Sequence, residues 1–212
     1  TVKRLAEHFI YLLDEITKKM DIPLQDIQMM SEAEMKTVLY KFNNTTDEYS
    51  YQMTVHEIFE QKAKENPSEN AIVYKEMTLT YSELDARANQ LARTLRKKGV
   101  QRNSVVGLIV EPSLEMVIGV LGVLKAGGAF LPIDPTLPIS RIKYFLRDSD
   151  CQLVLTRNNM KERFTFEQEI IRLDDELNCK EDGCHLESIN QPDDLAYVIY
   201  TSGTTGTPEI RY

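Results

Sequence analysis

From residue 51 onward, short apolar runs alternate with longer amphipathic segments, and this alternation limits the possible folds more than any other feature of the sequence. The short runs have the length and composition of buried strands. The longer segments carry apolar residues at helical spacing and are bounded by capping residues, glycine or proline. Such alternation favours an α/β fold in which helices cover both faces of a parallel or mostly parallel sheet. The predicted strands are 71–74, 104–110, 129–133, 152–156, 170–173 and 195–200.

Four helices are predicted around these strands, and their ends are marked in the sequence. Thr54 and Glu57 form a capping-box pattern that opens the first helix. Ser82 is predicted to cap the second, and Gly99 to end it. Pro112 is predicted to occupy the first turn of the third. The predicted spans are 54–67, 82–99, 112–126 and 138–147.

The first fifty residues follow a different pattern. Apolar residues at helical spacing predict an amphipathic helix that ends before Pro23. Ser31 and Glu34 form a second capping-box pattern, which predicts a short helix. The polar stretch 43–48 has the composition of a loop. We therefore expect a helix in 1–20, an interdomain linker over 21–50 and a separate body over 51–212.

The apolar run 195–200 is followed by six residues that are all threonine, serine or glycine. Glycine lets a backbone approach an anion closely, and successive N–H groups in such a turn form an anion-binding concavity. The hydroxyl groups add further donors. These features predict a polyphosphate site beyond the carboxyl end of a strand, although the same composition also suits a polar surface turn. The candidate phosphate-binding residues are Thr201, Ser202, Gly203, Thr204, Thr205 and Gly206.

Three segments of the chain resemble core motifs of one enzyme family. Residues 79–84 with 87–92 resemble the first core motif of the adenylation domains of nonribosomal peptide synthetases, which are adenylate-forming enzymes. Residues 124–135 resemble the second motif, and 201–208 resemble the third, the phosphate loop. Their order and spacing also match, and the resemblance covers roughly residues 51–208. It implies the N-terminal portion of the adenylate-forming fold.

The resemblance implies an AMP-forming amino-acid ligase. In this family a carboxylate attacks the α-phosphorus of ATP, which gives an acyl-adenylate and pyrophosphate, and Mg²⁺ neutralises phosphate charge. The acyl group then passes to the phosphopantetheine thiol of a carrier domain. The family's amino-acid pocket, ribose-binding aspartate and catalytic lysine have no counterpart in 1–212. No catalytic residue is therefore expected within this chain, and the chain alone is expected to be inactive.

The end of the third motif departs from the family pattern. After Thr207 and Pro208 the family has lysine and then glycine, whereas this chain has Glu209 and Ile210. A carboxylate about 4 Å from a phosphate charge would be repelled by about 4 kcal/mol at an effective dielectric constant of about 20. The substitution should therefore oppose binding of a triphosphate.

Residues 1–42 resemble the end of a condensation domain and the linker into an adenylation domain. The paired-histidine motif of condensation domains is absent, so His8 is not a catalytic candidate. The implied partners are an amino-acid substrate and the condensation and carrier domains of the same assembly line. Two alternatives remain, a non-catalytic packing fragment and part of an acyl-CoA synthetase-like ligase. The sequence of 124–135 and the condensation-like segment 1–42 favour the peptide synthetase.

Composition excludes other classes of partner. The net charge of −8 argues against nucleic acid, whose backbone requires a basic surface. No segment has eighteen consecutive apolar residues, so no membrane span is predicted. Three cysteines and the absence of an apolar signal segment are typical of a reduced, cytoplasmic chain.

The cysteines and histidines suggest no further site. Cys179, Cys184 and His185 lack a fourth ligand and close pair spacing, so a solvated loop explains them better than zinc, and no metal site is expected. Cys151 is predicted to be a small core residue. His56, near the start of a predicted helix, is expected to be exposed or half-buried.

Overall fold

The computed structural model describes residues 2–18, 20–21, 23–45, 53–157, 167–174 and 181–201, together with the backbone of 209–211. The chain divides into two compact units, Thr1–Ser50 and Tyr51–Tyr212. The first unit contains helix α1 (Val2–Lys18), a 3₁₀ turn (Leu24–Asp26), and helix α2 (Glu32–Lys36), which continues as a π-helical turn (Thr37–Lys41).

The first unit contains both of the helices expected from the sequence. Ser31 caps α2, because its hydroxyl accepts a hydrogen bond from the backbone N–H of Glu34. The carboxylate of Glu34 binds Arg4 and His8 of α1, at 2.5 Å and 2.6 Å respectively. These bonds hold α1 and α2 together, although most large apolar residues of α1 remain exposed.

The second unit contains eight strands and four helices in its described part. The helices are α3 (Val55–Glu65), α4 (Tyr81–Lys97), α5 (Leu114–Ala126) and α6 (Ile139–Asp148). The strands are β1 (Asn70–Tyr74), β2 (Met77–Thr80), β3 (Val105–Ile109), β4 (Ala129–Pro132), β5 (Leu153–Thr156), β6 (Glu169–Arg172), β7 (Ile199–Thr201) and β8 (Glu209–Arg211).

Four of these strands form one parallel sheet in the order β4-β3-β5-β6. Numbered by their order along the chain within this sheet, they lie 2-1-3-4, which is the order of a doubly wound fold of the flavodoxin type. Strands β1 and β2 form a separate antiparallel hairpin, and β7 pairs antiparallel with β8. The predicted α/β class with a parallel sheet is therefore confirmed.

Helices cover both faces of the sheet, as predicted. Successive residues of a strand point to opposite faces, so Leu108 and Ile109 lie in different cores. One core joins the sheet to α4 and α5, and it includes Leu91, Leu95, Val106, Leu108, Val123 and Leu155. The other joins it to α6, and it includes Ile109, Leu131, Ile142, Leu146 and Val154. Burial on both faces explains why these strands are apolar throughout.

Helices α4 and α5 pack closely because a glycine lies at their crossing. A Cβ atom on Gly122 would lie 2.6 Å from Cδ2 of Leu91, so no larger residue fits without a shift. A glycine also ends α5: Gly127 has a φ of 107° and begins the turn into β4. The end predicted for this helix, at residue 126, is confirmed.

Several local predictions were wrong. Thr80, not Ser82, caps α4, since its hydroxyl accepts from the N–H of Glu83, whose carboxylate accepts the N–H of Thr80 in return. Ser113, not Pro112, lies at the start of α5 and caps it. His56 is 2% exposed, rather than surface or half-buried. Its pKa is lowered, chiefly because burial disfavours the charged ring.

The remaining unexpected feature is a buried lysine that joins three helices. Lys125, in the last turn of the mostly apolar α5, is 2% exposed. Its ammonium contacts the carboxylate of Glu60 on α3 and lies 2.8 Å from Oδ1 of Asp85 on α4. It also donates to Oδ1 of Asn89 on α4 at 2.9 Å. We refer to these four residues as the Lys125 network.

Replacing Lys125 with methionine should lower the free energy of unfolding by about 3–5 kcal/mol, because it leaves two carboxylates near the core without a counter-charge. Chemical denaturation followed by circular dichroism would measure this loss. Adding Glu60→Gln to that variant should restore part of it. The matched control is Lys97→Met, which removes an ion pair between Lys97 (68% exposed) and Glu181. That change should cost no more than about 1 kcal/mol, and equal losses in the two lysine variants would contradict the role of the network.

Candidate functional site

The structure describes one of the six predicted phosphate-binding residues. Thr201 is the exposed last residue of β7, whereas Ser202, Gly203, Thr204, Thr205 and Gly206 lie outside the described residues. Thr201 pairs with Glu209 of β8. The two ends of the intervening segment are therefore adjacent, although phosphate binding by 201–206 remains a prediction.

The chain that enters this segment is not the continuous buried strand predicted for 195–200. A single parallel bridge, between Phe130 and Tyr197, attaches it to β4 within the described part. Phe130 donates to the carbonyl of Ala196 at 3.1 Å and accepts from the N–H of Val198 at 3.0 Å. Val198 is buried in the α6 core, but Ile199 is 42% exposed. The strand departs from the parallel sheet because residues 199–201 pair antiparallel with β8 instead.

Tyr200 anchors β7 to helix α6. Its ring stacks on Phe145, with the centroids 4.2 Å apart and the planes 16° from parallel. Its hydroxyl donates to Oδ2 of Asp148 at 2.7 Å. Tyrosine is stable in such a position because its ring packs among apolar groups while its hydroxyl is hydrogen-bonded to a carboxylate. The residue before Thr201 is thus held by both packing and a hydrogen bond.

A second anchor lies at the start of the same segment, and we call it the Asp194 clamp. The Asp194 side chain is 6% exposed and accepts from Arg102 at two atoms, Nε at 2.9 Å and Nη2 at 2.7 Å. It also accepts from the side chain of Asn103 at 3.3 Å and the N–H of Gln191 at 2.7 Å. The clamp consists of Asp194, Arg102 and Asn103, and the Asn103 side-chain oxygen accepts the N–H of Leu195 at 2.8 Å.

A cleft of about 500 Å³ lies at the carboxyl ends of β3 and β4. This edge is where doubly wound sheets bind ligands. Glu111 and Asp134 supply carboxylates to the cleft, and the rest of its lining is mostly apolar. Asp134, from the second motif, accepts from the backbone N–H of Thr136 at 2.8 Å and from its hydroxyl at 2.7 Å. These bonds lower the pKa of Asp134 and fix the turn after β4.

The first and second sequence motifs meet in the Lys125 network rather than at a reaction centre. Asn89 and Asp85 belong to the segment of the first motif, and Lys125 belongs to the second. Leu84 and Ala88 of the first motif are buried against Leu121 of α5. These parts of the two motifs therefore form a contact between α4 and α5. The burial of this contact could have been predicted from one feature of the sequence, a lysine at an apolar position of α5.

The described residues show no metal cluster. Within those ranges, no three of histidine, cysteine, aspartate and glutamate come together in a way that could hold an ion. Cys184 is exposed, and Cys179 lies outside the described part. Cys151 is buried, as predicted, and burial raises its pKa to about 11. In the same part of the chain, no helix is long and apolar enough to cross a membrane.

Comparison with known proteins places this arrangement in a family. The sequence pattern of the family described as AMP-binding enzyme matches residues 59–209, which is most of the second unit. The chain is 51% identical to bacitracin synthase 2 of Bacillus licheniformis over 209 residues, which cover 99% of the chain and 8% of that protein. It is 47% identical to gramicidin S synthase 2 of Brevibacillus brevis, over 99% of the chain and 5% of that protein. The chain thus spans less than a tenth of the length of these relatives.

Solved structures of similar fold agree with the sequence relatives. The nonribosomal peptide synthetase FmoA3 (S1046A) matches with a TM-score of 0.73 at 30% identity, over 95% of this chain and 22% of that one. Its α-methyl-L-serine-AMP-bound form also gives 0.73, at 29% identity, over 99% of this chain and 24% of that one. The N-terminal subdomain of Klebsiella oxytoca NpsA, at 22% identity and a TM-score of 0.67, shares the fold over 78% of this chain and 42% of its own. The resemblance to peptide synthetase adenylation domains is confirmed.

The Asp194 clamp should make stability depend on pH in the acid range. The hydrogen bond from Arg102 is the main cause that lowers the pKa of Asp194 from 3.8 to about 2. Because the pKa is lower in the folded chain, the clamp stabilises it above pH 3.8, and this stabilisation is lost as the pH falls through about 2. Melting temperatures of wild type and Asp194→Asn, measured from about pH 6 to about pH 2, should differ most above pH 4 and converge at the acid end. A difference that stays constant across this range would contradict the assignment.

Proposed function

This chain belongs to the AMP-binding enzyme family, and we propose that it is part of a nonribosomal peptide synthetase module that activates an amino acid with ATP. The observation that carries the proposal is the presence of all three core motifs, in order, in a chain similar over nearly its whole length to peptide synthetases. The carboxylate of the amino acid would attack the α-phosphorus of ATP, giving an aminoacyl-adenylate and releasing pyrophosphate. The bound α-methyl-L-serine-AMP of FmoA3 is an adenylate of this chemical class.

Residues 201–206 are proposed to hold the β- and γ-phosphates of ATP. Backbone N–H groups of the glycine-containing turn and the threonine and serine hydroxyls would donate hydrogen bonds to phosphate oxygens. Mg²⁺, when bound with the nucleotide, would neutralise part of the phosphate charge. Fixed donors of this kind promote the reaction by positioning and by electrostatic stabilisation rather than by supplying a nucleophile. The supporting observation is that Thr201 and Glu209, at the two ends of the segment, are held side by side.

The first unit is proposed to connect two domains of an assembly line. Residues 1–20 would be the end of a condensation domain, 21–50 the linker, and 51–212 the N-terminal part of the adenylation domain. A carrier domain with a phosphopantetheine thiol would receive the aminoacyl group, in the cytoplasm. These assignments are supported by the similarity of the chain, including its first fifty residues, to the bacitracin and gramicidin S synthases.

The two alternatives are less well supported. An acyl-CoA synthetase-like ligase would share the sheet and the phosphate loop. However, the relatives matched over 99% of the chain are peptide synthetases. A purely structural fragment would not explain a phosphate-loop sequence whose ends are paired by β7 and β8. Neither alternative is favoured by a specific contact in the described residues.

The phosphate loop can be tested by removing its glycines. In a synthetase that carries this segment, Gly203→Val or Gly206→Val should lower amino-acid-dependent ATP–pyrophosphate exchange by about 100-fold, since a branched side chain blocks close backbone approach. The assay would be run with each of the twenty amino acids. Gln61→Ala, on the exposed face of α3, is the control and should leave exchange unchanged. Full exchange in both glycine variants would remove the loop from the mechanism, and no exchange in the wild type with any amino acid would refute the proposed function.

A further inference from the structure

We infer that the Asp194 clamp sets the register of the strand that leads into the phosphate loop, and that Asp194 and Asn103 are therefore positioning residues for the nucleotide. The inference rests on the proposed function for its kinetic consequence, but its structural part stands without it. The clamp lies outside the three sequence motifs. It would act through the backbone of 195–201.

The hydrophobic pattern of this segment does not specify its register. A strand slipped by one residue exchanges the side chains on its two faces, so register is normally fixed wherever one face is apolar and the other polar. Here Leu195, Ala196, Tyr197, Val198, Ile199 and Tyr200 are all largely apolar. A slip of one residue would replace Val198 in the α6 core with another apolar side chain. Burial alone therefore discriminates weakly between the two registers at the start of the segment, whereas at its far end Tyr200 is held by Phe145 and Asp148.

The pairing with β4 is also too short to fix the register. The described residues form one isolated bridge there, with two backbone hydrogen bonds to Phe130. By comparison, β3 pairs with β4 and with β5 at four successive positions each. A one-residue slip would move the loop by about 3.3 Å along the strand. Displacements of about 1 Å in catalytic geometry already cost about 100-fold in rate.

The clamp supplies a contact that is specific to one register. The side-chain oxygen of Asn103 accepts the N–H of Leu195, and a slipped strand would present a different N–H to it. The Asp194 carboxylate accepts four hydrogen bonds, two of them from the fork of Arg102. A nearly buried carboxylate bound in this way is held in both position and orientation. The bond from Gln191 is local and would move with Asp194, but a shift of one residue would break the three bonds from Arg102 and Asn103.

The clamp is fixed to the body of the fold through Asn103. This residue has a φ of 64°, in the left-handed region that asparagine tolerates better than most residues. Its own N–H donates to the carbonyl of Gly127 at 3.0 Å, in the turn between α5 and β4. The reference point for the strand is therefore the turn that also starts β4. The turn after α5 therefore positions both β4 and, through Asn103, the segment that begins at Leu195.

Two variants of the 212-residue chain test the structural part. Asn103→Gly removes the side chain while keeping a residue that adopts a positive φ without strain. Asp194→Ala removes the carboxylate. Hydrogen exchange read by mass spectrometry should show backbone amides of 195–201 exchanging about tenfold faster in both variants, with the amides of β3 unchanged. Lys75→Gly is the matched control, because Lys75 also has a positive φ (55°) but lies in the β1–β2 hairpin.

The kinetic part uses the same three variants in the synthetase. Asn103→Gly and Asp194→Ala should lower kcat for ATP–pyrophosphate exchange by about tenfold, with the KM for the amino acid within about twofold of wild type. Asp194→Asn, which keeps a side-chain oxygen as an acceptor, should lose less activity than Asp194→Ala. If the hydrogen-exchange rates of the amides of 195–201 are unchanged in the variants, the inference is overturned. It is also overturned if these amides exchange hydrogen faster while kcat is unchanged. If the wild type has no activity, the proposed function fails, and hydrogen exchange still decides whether the clamp holds the strand.

Discussion

The arrangement of helices α3, α4 and α5 depends on the contacts of the buried Lys125 ammonium. Desolvating a charge costs several kcal/mol, so this position is stable only when Glu60, Asp85 and Asn89 converge on it. These partners come from two other helices, and α3, α4 and α5 must therefore dock together. A buried cation on α5 thus favours the packing of the three helices that brings its partners together.

The position of α5 extends this constraint to the candidate site. Lys125 is followed by Gly127, which ends the helix, and β4 begins at Ala129. Phe130 of β4 forms the bridge to Tyr197, and the carbonyl of Gly127 binds the N–H of Asn103 in the Asp194 clamp. Two of the connections to the strand that enters the proposed phosphate loop thus start from residues just after Lys125, and Tyr200 adds a third, to α6. The second motif is connected to the site through this turn, although its lysine is buried.

Particular elements show where prediction from sequence succeeded. Strands β3, β5 and β6 and the capping box at Thr54 were predicted close to their observed bounds, because each depends on residues a few positions apart.

The cap of α4 was assigned to Ser82 although Thr80 and Glu83 have the capping-box spacing. The β1–β2 hairpin was missed because its turn has Lys75 at a positive φ, where glycine or asparagine is usual. The strand at 195–200 was predicted as buried throughout, but pairing with β8, which is not a local property, turns it away from the sheet.

The sequence by itself determined the α/β class and the three motifs that led to the family. Those features are local, since apolar spacing, caps and loop composition are set by neighbouring residues. Tertiary structure alone decided the strand order, the burial of His56 and Lys125, and the pairing of Arg102 with Asp194. These depend on groups distant in sequence, and a charged side chain has the same sequence signature whether it is solvated or bound to a distant partner. Only the packed helices and sheet bring those partners within hydrogen-bonding distance.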